Sequence, residues 1–111
     1  DPNFAVSLLK ASWGDDLRTA GMEPLYHYNL GRAYHACGLV DHAEESFKKA
    51  VEVSLGSPMC LLALGLLEHE LGSHEWKDTL VAALKEADKQ ALYNIYLPNL
   101  RRAKKLLGTT K

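Results

Sequence analysis

Shifted against itself by 34 residues, the chain pairs Pro24 with Pro58, Leu30 with Leu64, Gly31 with Gly65, His35 with His69, Gly38 with Gly72 and Glu52 with Glu86. A fixed period of this size is the mark of one supersecondary unit used more than once, each copy burying its apolar face only against a neighbour. The punctuation within each copy reads the same way. A Pro suits the first turn of a helix, where its missing N–H would have had no partner. Helical stretches follow over 25–37 and 59–71, and each stops at a Gly, Gly38 or Gly72, able to take the left-handed cap. Short polar turns come next, Leu39-Val40-Asp41 and Ser73-His74-Glu75, and then a second amphipathic stretch. In the first unit Ala43, Phe47, Ala50 and Val51 form one helical stripe, with Glu44, Glu45, Lys48 and Lys49 opposite. In the second the stripe is Trp76, Leu80, Ala83, Leu84 and Ala87.

Two further helices flank the units. Asp1 and Pro2 make an N-cap and first-turn Pro, and Phe4, Leu8, Leu9, Trp13 and Leu17 keep helical spacing across Gly14. From Lys89 to Leu107, residues Leu92, Tyr96, Leu100, Ala103 and Leu107 continue a stripe that Pro98 should kink or split. The expected organisation is an N-terminal helix over 1–23, a first unit over 24–57, a degenerate second unit over 58–88, and a capping helix over 89–111.

Composition matters where it removes classes. A chain of 111 residues, 47% hydrophobic, suits one domain with a core of its own, so disorder is excluded. A formal net charge of −1 argues against a general nucleic-acid binder, which carries a strongly basic face. The longest apolar run, Met59 to Leu67, is too short to span a bilayer, so no membrane insertion is expected. Two cysteines and no Asn-x-Ser/Thr site suit a reducing compartment, with a cytoplasmic or nuclear home as the expectation.

Counted from Pro24, the residues Leu30, Gly31, Tyr34, Gly38, Ala43, Phe47 and Ala50 resemble the tetratricopeptide repeat, whose pattern sets Leu-Gly, Tyr, Gly, Ala, an aromatic and Ala in this order. His27 stands where the family has a large aromatic, with Tyr26 and Tyr28 beside it. The second copy keeps Leu64, Gly65 and Gly72, but has Glu68 for the Tyr and Lys77 for a small Ala. Inserting three residues would set Leu80, Leu84 and Ala87 in the places of Ala43, Phe47 and Ala50. The resemblance implies an all-α fold, an α-α superhelix of antiparallel helix pairs between flanking N-terminal and C-terminal capping helices. Asp1-Pro2-Asn3 looks like the family's repeat ending, which makes a fragment cut from a longer array the expectation.

The resemblance further implies a non-catalytic scaffold or adaptor that binds a peptide or helix along a concave face made by the first helix of each unit. Carried onto this chain, that face is Leu25, Tyr28, Asn29, Arg32 and His35, then Met59, Leu62, Ala63, Leu66 and His69. The alternative places Met59, Leu62 and Leu66 in the core under a C-terminal segment folded back on them. A co-chaperone carboxylate clamp fits less well, since only Asn29 is clamp-like while Tyr28, Ala63 and Met59 occupy positions that call for charged or amide groups. Two rivals are a self-association module, giving a homo-oligomer, and a regulatory or targeting segment of a larger enzyme.

Chemistry-bearing patterns are sparse. His69 and His74 lie five apart with Gly72 between, unlike the i, i+4 pair of zinc proteases, so no metal and no cofactor is expected. The resemblance implies parallel first helices, which would hold Cys37 and Cys60 about eleven residues apart at ~1.5 Å each, beyond the reach of a disulfide. No nucleophile elbow or Gly-rich phosphate loop is present, which argues against an enzyme. One charge asymmetry stands out: after Asp88 there is no acid, while Lys89, Arg101, Arg102, Lys104, Lys105 and Lys111 are cationic. That run reads either as a solvating helix end or as a docking patch for an acidic partner or phosphates.

Overall fold

In the computed structural model, the residues described are 4, 6–8, 10, 23–90 and 97–108, and among them every regular element is helical, with no strand. Five helices have defined bounds: α1 (Glu23–Ala36), α2 (Val40–Val53), α3 (Pro58–Leu71), α4 (Trp76–Gln90) and α5 (Leu97–Leu107). Phe4, Val6, Ser7, Leu8 and Lys10 are helical as well. The N-cap at Asp1-Pro2 and the stripe residues Leu9, Trp13, Leu17, Leu92 and Tyr96 lie outside the described residues. The chain divides into two units, Asp1–Leu55 and Gly56–Lys111.

In the first unit α1 packs on α2. The contact depends on Gly31, because a Cβ there would stand 2.7 Å from both Cδ1 and Cε1 of Phe47. With the ring seated that close, even a methyl group would force it to shift, so the glycine sets the spacing of the pair. Leu30, Ala33 and Tyr34 of α1 and Ala43, Phe47 and Ala50 of α2 complete the buried seam. The Lys10 ammonium, 5.5 Å from the Tyr34 ring centroid, brings the N-terminal helical stretch onto α1.

The second unit repeats the device. α3 packs on α4, and a Cβ on Gly65 would meet Leu80 Cδ2 at 2.5 Å and Cγ at 2.8 Å. The residue pressed onto the glycine differs between the copies, Phe47 lying 16 residues after Gly31 and Leu80 15 after Gly65; the buried Ala43, Ser46 and Ala50 of α2 recur 37 residues on as Leu80, Ala83 and Ala87, the register that an insertion of three residues gives. Leu39-Val40-Asp41 is likewise not all turn, since α2 begins at Val40.

Both first helices stop by the same backbone motif. Leu39 N–H donates to Tyr34 O at 3.0 Å, and Ser73 N–H donates to Glu68 O at 2.9 Å, two bonds related by the 34-residue period. Gly38 (φ 79°) and Gly72 (φ 75°) take the left-handed conformation this closure requires. α4 then starts on a side-chain turn, with Glu75 N–H donating to Ser73 Oγ and Thr79 Oγ1 donating to Glu75 O.

α5 packs on both α3 and α4. Leu100 and Ala103 enter one buried cluster with Leu62, Leu66, Leu80, Ala83 and Ala87, and Leu106 and Leu107 lie against it. Of the C-terminal stripe, Leu100, Ala103 and Leu107 fall on α5, which starts at Leu97. Pro98 sits in the first turn of α5, the position where a ring and a missing N–H are tolerated.

Candidate functional site

α1 is two-sided. Its inner side is the buried set Leu30, Gly31, Ala33 and Tyr34. Opposite, at i, i+3, i+4, i+7 and i+10, run Leu25, Tyr28, Asn29, Arg32 and His35. Leu25, Arg32 and His35 are exposed, and Tyr28 and Asn29 are half-buried. Arg32 holds its guanidinium 5.8 Å from the Tyr28 ring centroid, and the Tyr28 ring in turn lies 6.0 Å from Phe47. The cation is thus steadied on an aromatic face that is itself braced on the α1–α2 seam. The stripe offers an apolar end at Leu25, an amide at Asn29 and a guanidinium at Arg32, able to contact an aliphatic side chain, a peptide group and a carboxylate respectively.

Beside this stripe, His27 Nε2 stands 3.7 Å from Glu23 Oε2. Burial pushes the His27 imidazole below its ordinary pKa, opposed by the Glu23 carboxylate and assisted by the charge of Lys49. At Lys10 the hydrogen bond to Tyr34, followed by the Tyr34 charge, raises the ammonium above its usual value.

The expected continuation of the face on α3 is largely closed. Leu62 is 0% exposed and Leu66 9%, both inside the cluster that Leu100 and Ala103 of α5 complete. Their side chains serve as core and do not line an open groove; the C-terminal helix fills that place. The reason is thermodynamic, since α3 is apolar nearly all round and a second buried side removes more hydrocarbon from water than solvent exposure would allow. Met59 and Ala63 are half-buried and His69 is exposed, its ring edge-on to Trp76 at 4.6 Å. Glu68, in the place Tyr34 holds in the first unit, is buried at 1% exposure.

Neither Cys37, half-buried, nor Cys60, buried, is part of a disulfide. Among the described residues no group of three His, Cys, Asp or Glu side chains is placed to hold a metal ion. Nor does any helix of the described residues have the length and apolarity to cross a membrane. The site residue that sequence reading placed least well is Leu62: its period matches the exposed stripe of α1, and only the partner helix reveals that it is covered.

No family model, no curated protein and no solved structure matches the chain. The tetratricopeptide likeness therefore rests on the residues of this chain alone.

Proposed function

We propose that the chain is a non-catalytic protein–protein interaction module of tetratricopeptide type, which takes a peptide along the outer stripe of α1. The observation that carries the reading is the segregation of α1: Leu25 and Arg32 stand exposed on the side away from buried Leu30, Ala33 and Tyr34. Leu25, Asn29 and Arg32 share one side of α1, and a stripe that combines an aliphatic, an amide and a guanidinium group is the kind of surface on which short peptides dock. The peptide that suits it carries an aliphatic side chain and a carboxylate spaced to reach Leu25 and Arg32. The exposed face of α1 takes over the role expected of a groove shared by both units.

Backbone amide shifts recorded during titration with such a peptide test the proposal. The expected changes map to Leu25, Tyr28, Asn29 and Arg32, and Arg32→Glu weakens binding about tenfold, the scale of one charge-assisted contact. Binding that instead perturbs only the outer face of α2, at Glu45, Lys48 and Glu52, would sink it.

A further inference from the structure

Beyond the α1 stripe, the geometry points to a second docking surface: we propose that the outer side of α5 binds a short acidic segment of a partner protein through Arg101, Arg102 and Lys105. These positions, i, i+1 and i+4, fall on one side of the helix, and all three side chains are exposed. The opposite side carries Leu100 and Ala103, 1% and 0% exposed, which hold α5 on the core and fix the cations in place. α5 contains no acid. Among the described residues no ion pair engages Arg101, Arg102 or Lys105, whereas on α2 Lys48 lies 3.8 Å from Glu44 and Lys49 lies 3.8 Å from Glu52. Like charges at i, i+4, here Arg101 and Lys105, disfavour the helix by about 0.2–0.5 kcal/mol, so the arrangement does not serve folding.

The size of the patch selects the partner. Three cations occupy about 6 Å of helix axis at 1.5 Å per residue, which matches two or three carboxylates of a peptide. A nucleic acid or an anionic bilayer extends its charge far beyond that length. Insertion into a bilayer is also closed to α5, because its apolar side is already buried. Arginine forks suit carboxylates two at a time, which gives Arg101 and Arg102 the larger part of the recognition.

A fluorescent hexaglutamate peptide, titrated into the intact chain at low and at physiological ionic strength, tests this. The expected result is saturable binding that falls several-fold on raising the salt, and at least about tenfold on combining Arg101→Glu with Lys105→Glu. Arg101→Gln with Arg102→Gln should give most of that loss without repulsion, and Lys48→Gln with Lys49→Gln should leave binding within about twofold. Unchanged helical circular dichroism in each variant separates loss of docking from loss of fold. Equal binding by the α5 variants would overturn the proposal, as would tighter binding to phosphatidylserine vesicles or to a single-stranded oligonucleotide at matched charge concentration.

Discussion

Leu55 carries the least comfortable backbone of the described residues: it is the one non-glycine with positive φ, at 57°, and its side chain is 94% exposed. An L-residue there costs about 1–2 kcal/mol through the clash of Cβ with the following carbonyl. Nothing is returned by burial. Leu55→Gly removes the clash and adds about 0.5–1 kcal/mol of unfolded-state freedom, so the net expectation is stabilisation of up to about 1 kcal/mol. Leu55→Val, with branching at Cβ, should lose about 1 kcal/mol instead. Urea unfolding of both variants decides the point, and a Gly variant less stable than the parent would show that Leu55 makes a contact its exposure does not reveal. Gly38 and Gly72 were legible as left-handed caps because each closes an apolar stripe. Leu55 was not, because nothing in a Ser-Leu-Gly sequence marks which residue turns first.

At the scale of the element, each helix pair is closed by a side chain of the second helix pressed onto a glycine of the first. Gly31→Ala and Gly65→Ala test whether those contacts set stability. Overpacking costs about 1–3 kcal/mol and the better helix propensity of Ala returns up to about 1, so a net loss of about 1–2 kcal/mol is expected at Gly65. Gly31 should lose less, because the atoms in the way belong to a ring that can tilt, whereas Gly65 also faces the backbone nitrogen of Leu80 at 3.3 Å. Thermal unfolding midpoints give the order, and equal stability of the Gly65→Ala variant and the parent chain would refute the close approach. The Gly31–Phe47 contact was readable from the repeat spacing. That Leu80, in the register of Ala43, would press on Gly65 was not, since Leu80 and Leu84 are equally apolar and only the packed pair shows which of them meets the glycine.

At the scale of the molecule, eight acids and five bases lie up to Leu55 and six acids and eight bases from Gly56, so the net charge of −1 conceals an acidic first unit and a basic second one. The basic excess is concentrated on α5, the same helix whose inner side completes the core of its unit. Leu100→Ala tests that structural role: a 1% exposed Leu among Leu62, Leu66 and Leu80 should cost about 2–5 kcal/mol. Hydrogen exchange should then quicken at Leu62 and Leu66. Leu25→Ala, on the exposed face, should change stability by no more than about 0.5 kcal/mol. If Leu100→Ala is equally silent, α5 is not what covers α3.

The sequence by itself determined the all-α class, the bounds of the first helices to within two residues, the glycine caps and the inner seam of α1 and α2. Each follows from local chemistry: Pro and Gly act on their own backbone, and helical periodicity records which side meets a neighbour. Tertiary structure alone decided the fate of Leu62 and Leu66. An apolar side chain on a periodic stripe carries the same signature whether it waits for a ligand or lies under another part of its own chain. Which of the two holds depends on a helix more than 30 residues away in sequence, and on whether the hydrocarbon it buries outweighs the entropy of holding it in place.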